Sequence, residues 1–136
     1  MLALDNGGNL LLALERSFSA GVPGTGNSIK LYEVRLDGAT DISGIDSLIT
    51  ADRARIQPAQ KRLLLDFDTL RLPTGLDNVE AMAIGPVLPD GRLSLILASD
   101  DNFNATQFTQ FLTFAVELGG LASNFRFNGG FGSLGL

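Results

Sequence analysis

Met82-Ala83-Ile84, Leu97-Ala98-Ser99-Asp100-Asp101-Asn102-Phe103 and Phe114-Ala115-Val116-Glu117-Leu118 restate, in the same order, Leu2-Ala3-Leu4, Leu12-Ala13-Leu14-Glu15-Arg16-Ser17-Phe18 and Tyr32-Glu33-Val34-Arg35-Leu36. Three strand-like segments recur while the loops between them absorb small insertions, the mark of one supersecondary unit present about twice. The second copy has a lead-in, Leu76-Asp77-Asn78-Val79-Glu80-Ala81, that the first lacks. The first copy therefore reads as truncated: either Met1 is a true start and an ancestral unit was lost, or, the favoured expectation, the chain is the C-terminal piece of a longer protein.

Around these segments the chain alternates apolar and polar residues or runs briefly apolar between Gly, Pro, Asn and Asp, which predicts strands rather than helices. Strands are expected at 1–4, 10–16, 28–36 and 62–67, then at 79–85, 93–99 and 109–118. Asp5-Asn6-Gly7-Gly8-Asn9 and Leu88-Pro89-Asp90-Gly91-Arg92 supply the hairpin turns, since Asn-Gly and Asp-Gly tolerate positive φ. Period two puts Tyr32, Val34 and Leu36 on one side with Glu33, Arg35 and Asp37 opposite, and Phe114, Val116 and Leu118 repeat the arrangement. Both units are thus expected to bury that face. The polar connection at 37–61 is expected to hold a short helical turn at 45–49.

Four-stranded antiparallel units in series predict an all-β partial β-propeller, about two four-stranded antiparallel blades of a ring that needs at least about four. Residues 1–118 form these blades; the Gly- and Phe-rich residues 119–136 are a tail or edge strand, with Asn124-Phe125-Arg126-Phe127 the strand candidate. Open blade faces and unpaired edges make self-association possible.

Composition narrows the chemistry. The 136 residues are 45% hydrophobic, enough for a sizeable core. Ten basic against 15 acidic residues give net −5, with the Arg and Lys scattered, which argues against nucleic acid and against an anionic membrane as partner. With no Cys there are no disulfides, thiolate metal sites or Cys nucleophiles; with no His there is no Ser-His-Asp chemistry and no imidazole ligand. No run approaches the ~20 apolar residues of a membrane span, and Met1-Leu2-Ala3-Leu4-Asp5 lacks the basic start of a signal peptide. Carboxylates, amides and Arg are what remains.

In a blade the chain runs along the inner strand and back along the second, so Asp77-Asn78-Val79-Glu80 and Ser99-Asp100-Asp101-Asn102 are expected at one rim, with Glu15 and Arg16 at the equivalent rim of the preceding blade. Clustered carboxylates repel unless a cation sits among them, and carboxylate plus amide oxygens suit Ca²⁺ with its ~6–8 oxygen ligands. Glu80, Asn78, Asp100 and Asn102 are the candidate ligands. Glu80 leads, because it interrupts an apolar inner strand where an unpaired charge is costly. A plainer reading competes: Asp77 and Asn78 make a turn, and Asp100-Asp101-Asn102 an Asx turn. Arg16 can clamp an anionic oxygen or simply pair with Glu15 or a carboxylate of the next blade.

Other motifs carry less. Gly21 to Ser28 lacks the Gly-Lys-Ser/Thr of a phosphate loop and precedes a strand, Asp66-Phe67-Asp68 does not continue as an EF-hand, and Asn104-Ala105-Thr106 is a glycosylation sequon that matters only in a eukaryotic secretory pathway. Phe103, Phe108 and Phe111 can flank a ligand mouth, although such residues are more often core.

Taken in order, Leu14-Glu15-Arg16-Ser17-Phe18, Lys61-Arg62-Leu63-Leu64-Leu65-Asp66, Asp77-Asn78-Val79-Glu80-Ala81-Met82-Ala83, Leu88-Pro89-Asp90-Gly91-Arg92, Ser99-Asp100-Asp101-Asn102-Phe103 and Thr109-Gln110-Phe111-Leu112 resemble the C-terminal portion of the phytase-like family. The resemblance implies a β-propeller of bacterial, usually exported proteins, periplasmic or secreted, acting on a small ester or phosphoester. Carried onto matching positions, it singles out Glu15, Arg16, Asn78, Glu80, Asp100, Asp101 and Asn102. Family members have a complete ring, so any ligand from further blades, including any His, is missing here. Three functions follow as expectations. The first is a hydrolase in which Ca²⁺ polarises the substrate and activates water, Asp101 is the base, Arg16 steadies the anion, and Glu15 is a further candidate catalytic residue. The second is a non-catalytic binding module with structural calcium, and the third an inactive truncated product.

Overall fold

The computed structural model describes residues 1–21, 26–117 and 126–128, with side chains described up to residue 116. The repeat is realised as two four-stranded antiparallel sheets. The first contains β1 (Leu2–Ala3), β2 (Leu10–Phe18), β3 (Asn27–Arg35) and β4 (Gln60–Asp66); the second contains β5 (Val79–Val87), β6 (Leu93–Ser99), β7 (Phe111–Glu117) and β8 (Arg126–Asn128). Each sheet is a meander whose spatial order is its chain order, so each strand pairs with the one made before it. Both expected turns form. Leu10 N–H donates to Asp5 Oδ1 at 3.1 Å in the first, and Leu88 N–H to the Arg92 carbonyl at 2.7 Å in the second. Gly91 supplies the positive φ that the latter needs.

One core serves both sheets. Leu12, Ile29 and Leu31 from the first, and Val79, Leu95, Leu97, Leu112, Phe114 and Val116 from the second, form a single buried cluster. Phe67 joins it from the 3-10 turn Phe67–Thr69 that ends β4, meeting Phe114 edge to face at 5.9 Å and 86°. Edge-on packing suits the ring quadrupoles. Asp66 caps that turn by accepting from Asp68 N–H, which holds the Phe67 backbone where its ring reaches the opposite sheet.

The facing expected for β3 is reversed. Ile29, Leu31 and Glu33 are buried, whereas Tyr32 and Val34 are only partly covered and Leu36 is exposed. Register explains the error: Leu10 pairs with Arg35 as Leu95 pairs with Phe114, so Arg35, not Tyr32, is the counterpart of Phe114. A three-residue slip is odd and exchanges the faces. In β7, Phe114 and Val116 are buried as expected; Leu118 lies outside the described residues.

Glu33 is therefore a carboxylate in the position that Leu112 fills in the second sheet. It is tolerated because Arg62 on β4 reaches it at 2.8 Å and Arg35 at 3.0 Å. Burial pushes its pKa up, but the hydrogen bonds and charges of Arg62 and then Arg35 outweigh this and hold it below the ordinary value. A lowered folded pKa gives stability that is present above the ordinary glutamate value of 4.5 and is lost as pH falls through the folded value. Denaturant titrations from neutral to acid pH should show wild type losing more stability below pH 4.5 than Glu33→Gln; parallel losses would refute the role of this triad.

The expected helical turn at 45–49 is a pair of hydrogen-bonded turns instead, Ile45 N–H to the Ile42 carbonyl and Ala51 N–H to that of Ser47, and the 3-10 turn lies later, at Arg53–Arg55. Of the edge strand expected at 124–127, residues 126 and 127 fall in β8, which pairs with β7 through Asn128, Phe127 and Arg126; residues 118–125 and 129–136 lie outside the described residues. Among the described residues no helix is long and apolar enough to cross a membrane.

Candidate functional site

The β5–β6 hairpin builds the rim. Val79 pairs with Ser99, and Asp100 N–H donates to the Asn78 carbonyl at 3.1 Å, so the two acidic motifs sit side by side. The register shifts between Val79 and Ala81, which makes Glu80 the extra residue of a β-bulge. Bulges re-aim a side chain, and here the bulge turns Glu80 outward. Its side chain is 46% exposed, not sunk in the apolar strand as its sequence context suggests.

Glu80 Oε1 accepts from Asn78 Nδ2 at 2.8 Å and lies 3.6 Å from Arg16 Nη2, while Arg16 Nη1 donates to Asn27 Oδ1 at 3.1 Å. This chain of side chains spans the two sheets. Asn78 itself is buried, and its Oδ1 has no hydrogen-bond partner. Such a buried acceptor is costly to leave unmade.

Asp100 and Asp101 make successive Asx turns. Asp100 Oδ1 accepts from Asn102 N–H at 3.0 Å and Asp101 Oδ1 from Phe103 N–H at 2.9 Å. Asn102 Nδ2 donates to Gln107 Oε1 at 3.2 Å. Beneath them lies Asp77, fully buried, accepting from Asn78 N–H at 2.7 Å, Phe108 N–H at 2.7 Å and Gln107 Nε2 at 3.3 Å. Asp77, Gln107 and Ser99 position the rim. Ser99 does so by donating to the Phe108 carbonyl while accepting from Gln110 N–H. An Asp just before a strand signals a turn, but nothing local in the sequence marks Gln107 as its partner.

Glu15 and Arg16, adjacent in β2, point to opposite faces. Lys61 Nζ binds both Glu15 oxygens at 2.8 and 2.9 Å and sits 4.2 Å from the Tyr32 ring centroid. A cavity of about 140 Å³ lined by Glu15, Arg16, Ser17, Ser28, Lys30 and Tyr32 opens there. It is smaller than pockets of ~300–1,000 Å³ that enclose drug-sized ligands. Behind it Lys30 meets Asp66 at 3.0 Å, and that hydrogen bond is the main cause holding the Asp66 carboxyl below its usual range.

Among the described residues no three acidic side chains come together as a metal-binding group. The oxygens gathered at the rim are those of Glu80 and Asn78, with one oxygen each of Asp100 and Asp101 committed to backbone.

A family model described as "Phytase-like: Esterase-like activity of phytase" matches residues 1–103, which include β1 to β6 and the rim motifs. β7 and β8 lie beyond the matched residues. No match was found among curated proteins or among solved structures.

Proposed function

The chain belongs to the phytase-like family, and on that premise we propose that it is a hydrolase-like domain cleaving an ester or phosphoester at the rim where Arg16, Asn78 and Glu80 meet. The observation that carries this reading is the Arg16–Glu80 approach of 3.6 Å across the two sheets, beside a buried amide oxygen without a donor. A guanidinium at this junction steadies an anionic oxygen. Asp101, with one oxygen committed to Phe103, uses the other to take a proton from the water as its oxygen bonds to the acyl carbon or phosphorus, and returns that proton to the alkoxide as the bond to the leaving group breaks. Glu15 lies on the opposite face of β2 from Arg16, where Lys61 holds both its oxygens, and takes no part at this rim.

Calcium is the cation of this reading, with Asn78, Glu80, Asp100 and Asn102 as its ligands. The orphaned Asn78 Oδ1 and the exposed Glu80 carboxylate fit a hard cation. The Asn78 amide now turns its Nδ2 to Glu80, the orientation a bare carboxylate dictates, and rotation would present Oδ1 instead. Bound there, the ion supplies polarisation of the scissile oxygen. In fold terms the two sheets are adjacent blades of a larger propeller, a reading supported by their identical strand order and by half-exposed Leu63 and Phe111 on the outer faces. An exported bacterial location belongs to the same proposal.

The test is p-nitrophenyl acetate and p-nitrophenyl phosphate turnover, with Ca²⁺ or EDTA, in wild type, Glu80→Gln and Asp101→Asn. Loss of the base should cost about 10²-fold or more. Saturating Ca²⁺, at ~100 times its dissociation constant, should add ~2.7 kcal/mol to wild-type stability, and Glu80→Gln should lose that gain. Metal-dependent turnover that survives Glu80→Gln would sink the mechanism. Stabilisation without turnover supports the second reading, a non-catalytic binding module, which the Asx-turn engagement of Asp100 and Asp101 favours.

A further inference from the structure

Asn102 and Phe103 both adopt positive φ, 49° and 53°, a region that a bulky L-residue enters only under constraint. Phe103 gains no packing in return, since its side chain is fully exposed. The surroundings impose the conformation. Asp100 and Asp101 hold the two backbone N–H groups, Asn104 N–H donates to the Asp101 carbonyl at 2.8 Å, and Asn102 Nδ2 ties to Gln107, itself anchored on Asp77.

A single exposed aromatic needs no explanation. One held on a strained, hydrogen-bonded mount two residues from Asp101 does. Its neighbours along the loop, Asn102, Asn104, Ala105 and Thr106, are exposed and polar or small, so the loop itself does not continue the ring into an apolar patch of the kind that a protein partner covers. A lone ring held out from a rigid loop suits another flat ring.

We infer that Phe103 is a ligand-contact residue that stacks on the flat apolar group of a small ester or phosphoester, such as an aryl leaving group. This rests on the rim reading above and names its substrate class. Offset aromatic stacking corresponds to about 2- to 12-fold in affinity. It also explains why the loop holds the strain, because a relaxed loop would not fix the ring against Asp101, whose Oδ1 holds the Phe103 N–H.

The chain has no Trp and one Tyr, so Phe103→Trp places the only indole at the rim. Its emission is titrated with p-nitrophenyl phosphate and, in parallel, inorganic phosphate, with N-acetyltryptophanamide as the unbound reference. Saturable quenching by p-nitrophenyl phosphate but not by phosphate is expected, and calorimetry should show Phe103→Ala weakening the aryl ligand about 2- to 12-fold with phosphate affinity unchanged. Linear quenching equal to that of the free reference overturns the inference. Release of p-nitrophenolate is followed in the same samples: saturable quenching without release keeps Phe103 as a binding residue and removes the hydrolase reading, whereas release with linear quenching does the reverse. Phe103→Gly should raise Tm, since glycine enters this region freely, while weakening the aryl ligand as Phe103→Ala does; a lower Tm would mean that the ring is held for packing and would also overturn the inference.

Discussion

Replacing Phe67 by alanine is expected to remove about 3–5 kcal/mol of unfolding free energy, the range for a fully buried aromatic whose cavity cannot collapse. Its ring is 1% exposed and belongs to the turn after β4, yet its edge-to-face partner Phe114 lies on β7. The substitution therefore opens a hole between the sheets rather than within one. Denaturant unfolding should show a lower midpoint with an unchanged slope, because one shared core makes the two sheets a single cooperative unit. Phe111→Ala is the control. Phe111 is 44% exposed on the outer face of the second sheet, and its loss should stay within about 0.5 kcal/mol. Equal costs for the two variants would contradict the face-to-face packing.

That packing was legible from the repeat, but only in part. The first two strand correspondences, Leu2 with Met82 and Leu12 with Leu97, agree with the pairings Leu2–Leu12 and Met82–Leu97. The third does not, and the reason is physical. Alternation has a period but no sign. In Tyr32-Glu33-Val34-Arg35-Leu36 the apolar set looks like the buried one, yet Glu33 goes inside because Arg62, 29 residues further on, meets it there. A charge neutralised from a distant strand cannot be read from the strand that bears it.

The rim divides in the same way. Its convergence was legible because the 88–92 turn sets the hairpin register that brings Asn78 beside Asp100. The exposure of Glu80 was not, since a bulge is a backbone decision that leaves no mark in Val79-Glu80-Ala81. Period two did contain the separation of Glu15 from Arg16, because adjacent strand residues face apart. Lys61 then takes one and Glu80 the other.

Asp77→Ala is expected to be the most damaging single change at the rim, costing about 3 kcal/mol or more, since hydrogen bonds to a charged acceptor carry about 1.5–3 kcal/mol each and here three donors lose one partner together. Two are backbone N–H groups, of Asn78 and Phe108, whose bonds among the described residues go to Asp77. Asp77→Asn keeps the shape but sets an amide N–H against one of these donors, so it should recover only part of the loss. Asp101→Ala supplies the contrast: its Asx bond is exposed, and its removal should cost about 1 kcal/mol. Stability alone would not separate an anchor from an ordinary buried polar group, so the decisive readout is local. In Asp77→Ala the amides of Asn102, Phe103 and Phe108 should exchange with solvent faster than those of β6, because the loop that keeps Asn102 and Phe103 at positive φ is released from its base. Uniform acceleration across β6 and the loop would mean that Asp77 stabilises the whole fold without governing the rim, and the strain at Phe103 would then need another source.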